Sequence, residues 1–137
     1  MQTIHVNSDG FGALPTIKEQ VTIDGYTQTG AHPNTKTVGN DAALKVVLDG
    51  TNVGGSGLQI NSASNSVIKG LVINSFGNTG IEIIGTTTVG TRIEGNFIGT
   101  DASGTLDKGN ASAAWTPSRT TSPRLWLGAP PRQPATS

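Results

Sequence analysis

Two short strings in this chain each occur twice, and that recurrence limits the possible folds more than any other property. Gly57-Leu58-Gln59-Ile60 returns 23 residues later as Gly80-Ile81-Glu82-Ile83, and Val67-Ile68-Lys69-Gly70-Leu71-Val72-Ile73 returns 25 later as Arg92-Ile93-Glu94-Gly95-Asn96-Phe97-Ile98. Each copy holds two short runs that alternate apolar and polar, broken by Gly and Asn, and no window between Gly57 and Gly99 sustains a helical period. A period of this length built from strands and tight turns describes one rung of a parallel β-helix, in which each strand stacks on its equivalent in the next turn. The fold expected is all-β: a parallel β-helix of about four rungs.

Aligning the final glycines of the runs gives Gly25, Gly50, Gly70 and Gly95, at intervals of 25, 20 and 25. In that register Ile23, Leu48, Ile68 and Ile93 form one aliphatic column, with steps of roughly 4.8 Å. Leu58 under Ile81, Ile60 under Ile83 and Ile73 under Ile98 complete the expected interior. Gln59, Lys69, Glu82, Arg92 and Glu94 fall between them, which is the alternation that a strand with one wet face requires. Thr3 to Val6 also reads as a strand, and the stretch from Tyr26 to Asp41, with Gly30, Pro33, Asn34 and Gly39, reads as a loop excursion. Asn61, Asn65, Asn74, Asn78 and Asn96 sit at strand ends, where their amides serve turn backbone.

The pattern stops at Asn110. From Ala111 to Ser137 there is no Ile, no Val and no acidic residue, while both tryptophans and five of the seven prolines lie there. Residues 1–110 are therefore expected to be the β-helix fragment and 111–137 an irregular tail that cannot extend a sheet. Two readings of the tail stand side by side. One is a disordered linker. The other is translation in a shifted frame, because codon degeneracy permits Ala113 to Thr116 to be read as G-G-V-D, which would begin a further rung.

Leu14-Pro15-Thr16-Ile17 followed by Val21-Thr22-Ile23-Asp24-Gly25, Leu48-Asp49-Gly50, Ile68-Lys69-Gly70-Leu71-Val72-Ile73-Asn74 and Ile93-Glu94-Gly95-Asn96-Phe97-Ile98-Gly99-Thr100-Asp101 resembles the right-handed parallel β-helix repeat proteins of bacteria, which are pectin-lyase-like solenoids. The resemblance covers about residues 3 to 110. It implies a fragment of a longer exported or surface protein, a structural spacer or a carbohydrate- or protein-binding surface, and as the alternative a polysaccharide lyase or glycosidase. The chain itself opens on Met1-Gln2-Thr3-Ile4-His5-Val6, which has neither the basic start nor the apolar stretch of a signal peptide.

Charge narrows the partners. All nine acidic residues but only six of the nine basic ones precede Ala111, so the repeat region is mildly acidic and lacks the basic face that nucleic acid requires. No apolar run is long enough to span a membrane. Zero cysteines exclude disulfides and thiolate chemistry. An open final rung would leave unpaired strand edges, so self-association through the end of the solenoid is expected.

Few residues suggest chemistry. In the glycine register, Asp24, Asp49, Lys69 and Glu94 share one column, and two carboxylates roughly 5 Å apart on adjacent rungs would repel. Ca2+ bridging Asp24 and Asp49 is one remedy. A charge ladder, with Lys69 between Asp49 and Glu94, is the simpler one. His5 and His32 have no spaced partner for a metal. Gly54-Gly55-Ser56-Gly57 lacks the Lys-Ser/Thr of a phosphate loop. No catalytic residues are assigned. Tyr26 and Phe76 are the candidate carbohydrate-stacking aromatics.

Overall fold

The computed structural model describes residues 1–7, 10, 12–112 and 115–116. Within them the chain is all-β, with strands β1 (Gln2–His5), β2 (Thr22–Asp24), β3 (Val46–Asp49), β4 (Leu58–Asn61), β5 (Val67–Lys69), β6 (Leu71–Asn74), β7 (Ile81–Ile84), β8 (Arg92–Glu94), β9 (Phe97–Ile98) and β10 (Trp115–Thr116), and one 3-10 turn at Gly25–Thr27. The strands form three sheets. Sheet I has the order β1-β3-β6-β9, sheet II β4-β7-β10 and sheet III β2-β5-β8. Every pair is parallel. From β4 onward the chain visits sheets II, III and I in strict rotation.

The two recurring strings are the cause of this arrangement. Register pairs Leu58 with Ile81 and Ile60 with Ile83 in sheet II, and Ile68 with Ile93 in sheet III. In sheet I the column runs Ile4, Leu48, Ile73, Ile98. The inward members of all three sheets pack into one core, with Ile60, Ile68, Ile73 and Ile81 fully buried. Each such side chain contributes about 1.5–3 kcal/mol of transfer free energy. Gln59 and Glu82, between the buried pairs of sheet II, are stacked and joined by a 2.8 Å hydrogen bond from Gln59 Nε2 to Glu82 Oε2.

Two details of the expected register change. Leu48 leaves the column of Ile23, Ile68 and Ile93, because Ile23 pairs directly with Ile68 and Leu48 stands between Ile4 and Ile73 in another sheet. Gly50 is the misleading signal: it is not a corner glycine of sheet III but gives way to the Phe76 ring, which a side chain at position 50 would overlap. The corner between sheets III and I is built on Gly25, Gly70 and Gly95. Gly70 and Gly95 have positive φ there (72° and 61°), and a β-carbon on Gly25 would strike the Gly70 carbonyl.

The limit at Asn110 also moves. Trp115 and Thr116 pair in parallel with Ile81 and Glu82, so the stack extends into the segment expected to be foreign to it. Parallel pairing needs backbone donors and acceptors, and no proline intervenes before Pro117. Both readings of residues 117–137, linker or shifted frame, lie outside the described residues. Of the strand-end asparagines, Asn74 and Asn96 serve backbone as expected, whereas Asn61 and Asn78 bond the Ser62 and Ser56 hydroxyls. Asn96 donates from Nδ2 to the Ile68 carbonyl at 2.8 Å and accepts the Leu71 N–H at 3.0 Å, which ties the two sides of the Gly70 corner together.

Position within a column determines the cost of truncation. Ile73→Ala, in the closed interior, should lower the unfolding free energy by about 2–5 kcal/mol. Ile4→Ala, in the same column but 48% exposed, should cost under about 1 kcal/mol. Urea titrations of the two variants, followed by circular dichroism, measure the contrast.

Candidate functional site

Sheet I is apolar over part of its outer face as well as on its inner one. Outward-facing Thr3, Val47, Val72 and Phe97 are register partners, and Val47 and Val72 are buried with Leu44 in a second cluster against which Tyr26, Ala42, Phe97 and Ala102 pack. The signal was present in Val46-Val47-Leu48 and Leu71-Val72-Ile73, since consecutive apolar residues mark a strand covered on both sides. Two chain excursions lie against this face. The loop after the 3-10 turn is closed by an antiparallel bridge between His32 and Ala43, and a second loop by a bridge between Thr100 and Asp107.

Beside the outer cluster lies a groove of about 770 Å3, whose lining includes Tyr26, Pro33, Asn40, Lys69, Glu94 and Phe97. Tyr26 is fixed in three ways. Its N–H is capped by Asp24 Oδ1 at 2.9 Å, its hydroxyl donates to the Gly95 carbonyl at 2.6 Å, and its ring lies against the bare Gly70 α-carbon. Burial, then the charges of Asp24 and Glu94, push its phenol pKa upward, so the hydroxyl stays protonated through neutral pH. Lys69 Nζ is 3.3 Å from Asp24 Oδ2, and Arg92 reaches both Glu94 oxygens, at 2.9 and 3.0 Å.

A second groove, of about 650 Å3, opens over the C-terminal ends of the sheet I strands and is lined in part by Thr3, His5, Asp49, Asn74, Asp101 and Lys108. His5, Asp49 and Asn74 form one column, and His5 Nδ1 lies 3.0 Å from Asp49 Oδ2. The other Asp49 oxygen accepts from the Thr51 N–H and hydroxyl. Partial burial opposes ionisation of Asp49, but the Thr51 hydrogen bonds and then His5 outweigh it and hold the carboxyl below the usual range. Asp101 is also held low, first by the Ser103 hydroxyl; desolvation opposes this, and the Leu106, Thr105 and Ser103 N–H groups add to the lowering.

The expected site residues are therefore redistributed. Tyr26 does line a groove. Phe76 does not: it is 1% exposed and fills the interior beside Gly50 and Gly57, so it offers no face to a sugar. Phe97, one residue before the inward Ile98, is the aromatic that alternation places outside. Asp24 and Asp49 stand on different sheets, Asp24 with Lys69 and Asp49 with His5, so the shared column proposed to hold Ca2+ does not form. Among the described residues no group of three or more His, Asp or Glu side chains is placed to hold a metal ion, and no helix is long and apolar enough to cross a membrane. His5, which has no partner in sequence, finds one 44 residues away in Asp49.

Comparison with protein-family models, with curated proteins and with solved structures gives no significant match to any of them.

The Asp49 network fixes a pH dependence. A carboxyl with a folded pKa depressed below 3.8 adds stability that is complete above that value and is lost as pH falls through the lower folded one. Asp49→Ala should therefore cost about 1–2 kcal/mol at pH 7. The difference from the parent chain should shrink towards zero in strong acid, as read from urea midpoints across pH.

Proposed function

We propose that this chain is a non-catalytic segment of a right-handed parallel β-helix from an exported bacterial protein, and that it presents the Tyr26–Phe97 groove to an extended polysaccharide. The rotation of the chain through three parallel sheets supports the solenoid, as do repeat steps of 23 and 25 residues between stacked strands. One observation carries the binding reading: two aromatic side chains, both partly buried and held by packing, border one open groove beside polar groups. Rings that are already immobilised lose little entropy on stacking against a sugar. The bacterial surface setting rests on the motif resemblance.

Retardation of the full chain in native gels cast with soluble polysaccharides tests the reading. Loss of one stacking ring, in Phe97→Ala, should weaken retention by about tenfold, the equivalent of roughly 1.4 kcal/mol. Retardation by no polysaccharide would refute it.

A lyase or glycosidase is the second reading, and its support is the His5–Asp49 pair in the other groove, an imidazole oriented by a carboxylate as a general base is. Lyase action on a polyuronate would raise ultraviolet absorbance as unsaturated ends form. Activity that is abolished in His5→Ala would replace the binding reading with this one.

The reading includes self-association through strand edges. β1 forms one edge of sheet I with all four residues exposed, and such an edge is a template for another strand. Sedimentation velocity should show species heavier than the monomer that grow with concentration, whereas a monomer at all concentrations would remove this part of the proposal.

A further inference from the structure

The groove beside Tyr26 contains charged side chains, yet their charges are spent on one another. Lys69 faces Asp24 at 3.3 Å, and Arg92 faces Glu94 at 2.9 Å. Among the described residues, two cations and two anions thus cancel within a few ångströms, which leaves little net field from these groups to draw in a polyanion. The remaining polar groups follow the same rule. Both ends of the Asn96 amide are committed to backbone. Asn34 Oδ1 accepts from the Lys36 and Asp41 N–H groups. Tyr26 keeps a protonated phenol whose hydrogen is given to Gly95. What the described residues of the groove offer a ligand is the exposed parts of the Tyr26 and Phe97 rings, the Asn40 amide nitrogen and the unused protons of Lys69.

We infer that the ligand class of this groove is a neutral glycan, recognised by ring stacking on Tyr26 and Phe97 and by hydroxyl hydrogen bonds, and not a polyuronate or sulfated chain. This rests on the glycan-binding reading above and goes further by fixing the charge of the ligand. A sugar carboxylate that took the unused protons of Lys69 or Arg92 would lie beside the Asp24 or Glu94 carboxylate, and that like-charge contact offsets the attraction of the shared cation. Hydroxyl groups can accept from Lys69 while its pair with Asp24 stays intact, because an ammonium group has three protons.

The experiment compares retardation of the full chain by a neutral xyloglucan, a neutral galactan and polygalacturonate in native gels, at low salt and at about ten times that salt, where charge attraction is strongly screened. The result expected is retardation by a neutral glycan that changes by less than about twofold with salt, and none by polygalacturonate. Glu94→Gln, which removes one anion from the groove, should create weak, salt-sensitive retention on polygalacturonate. In the unmodified chain, aromatic proton resonances of Tyr26 and Phe97 should shift on addition of the retained neutral glycan, a readout that does not depend on a variant folding. Preferential, salt-sensitive retention of the parent chain by polygalacturonate would overturn the neutral class and leave glycan binding standing. Retardation by none of the three, or neutral retention without movement of the Tyr26 and Phe97 resonances, would overturn the site itself.

Discussion

In-register stacking of aliphatic side chains is the constraint on which the rest of this structure depends. A parallel strand pair gains little from its hydrogen bonds alone, since water satisfies the same groups in the unfolded chain. What holds β5 on β8 and β4 on β7 is that Ile68 meets Ile93, and Leu58 and Ile60 meet Ile81 and Ile83, on one side of the strand. A slip of one residue would turn every one of these outward. The register is thus specified by three sheets at once, because their inward faces share a single core. No sheet can shift without opening a void against the other two.

That interior requires tight corners, and the corners in turn place side chains of the candidate groove. Between β5 and β6 the chain turns on one residue, Gly70, at positive φ, and the corresponding corners at Gly25 and Gly95 lie in line with it. Bare α-carbons at this edge leave a flat strip. The Tyr26 ring lies on it, with its hydroxyl anchored to Gly95. The same glycines that let sheets III and I meet also make the seat for an aromatic side chain, so the packing of the corner and the shape of the groove beside it are coupled.

Much of this could be read from the sequence, and what could not has a physical reason. The Gly57 to Gly99 repeat fixed the pairings of Leu58, Ile60, Ile68 and Ile73, because similar steps of 23 and 25 residues with the same alternation leave one register. Glycine spacing alone misled at Gly50, which serves a ring contact and not a corner, and that error carried Asp49 into the wrong column. Phe76 looked exposed because it follows a strand end, but the turn there runs inward over the core. The His5–Asp49 pair was not legible, since its partners come from strands 44 residues apart whose pairing spans an irregular loop. Trp115 and Thr116 carry no aliphatic signature, so composition alone could not place them on β7.

The two grooves arise where the repeat is interrupted. Thr22 is followed by its stacking partner Val67 after 45 residues, whereas Val67 meets Arg92 after 25. Leu58 meets Ile81 after 23 residues, but Ile81 meets Trp115 after 34. The surplus cannot enter the close-packed interior, so it must leave the stack and lie against an outer face. It does so on sheet I, whose outer residues Val47, Val72 and Phe97 are apolar and would otherwise be wet. Burying that face is what retains the excursions, and their free rims become groove walls: Pro33 and Asn40 in one case, Asp101 and Ser103 in the other. The regular strands therefore supply rigidity and one wall of each groove, and the opposite wall is left to the insertions, which can vary in length and polarity without disturbing the aliphatic columns beneath them.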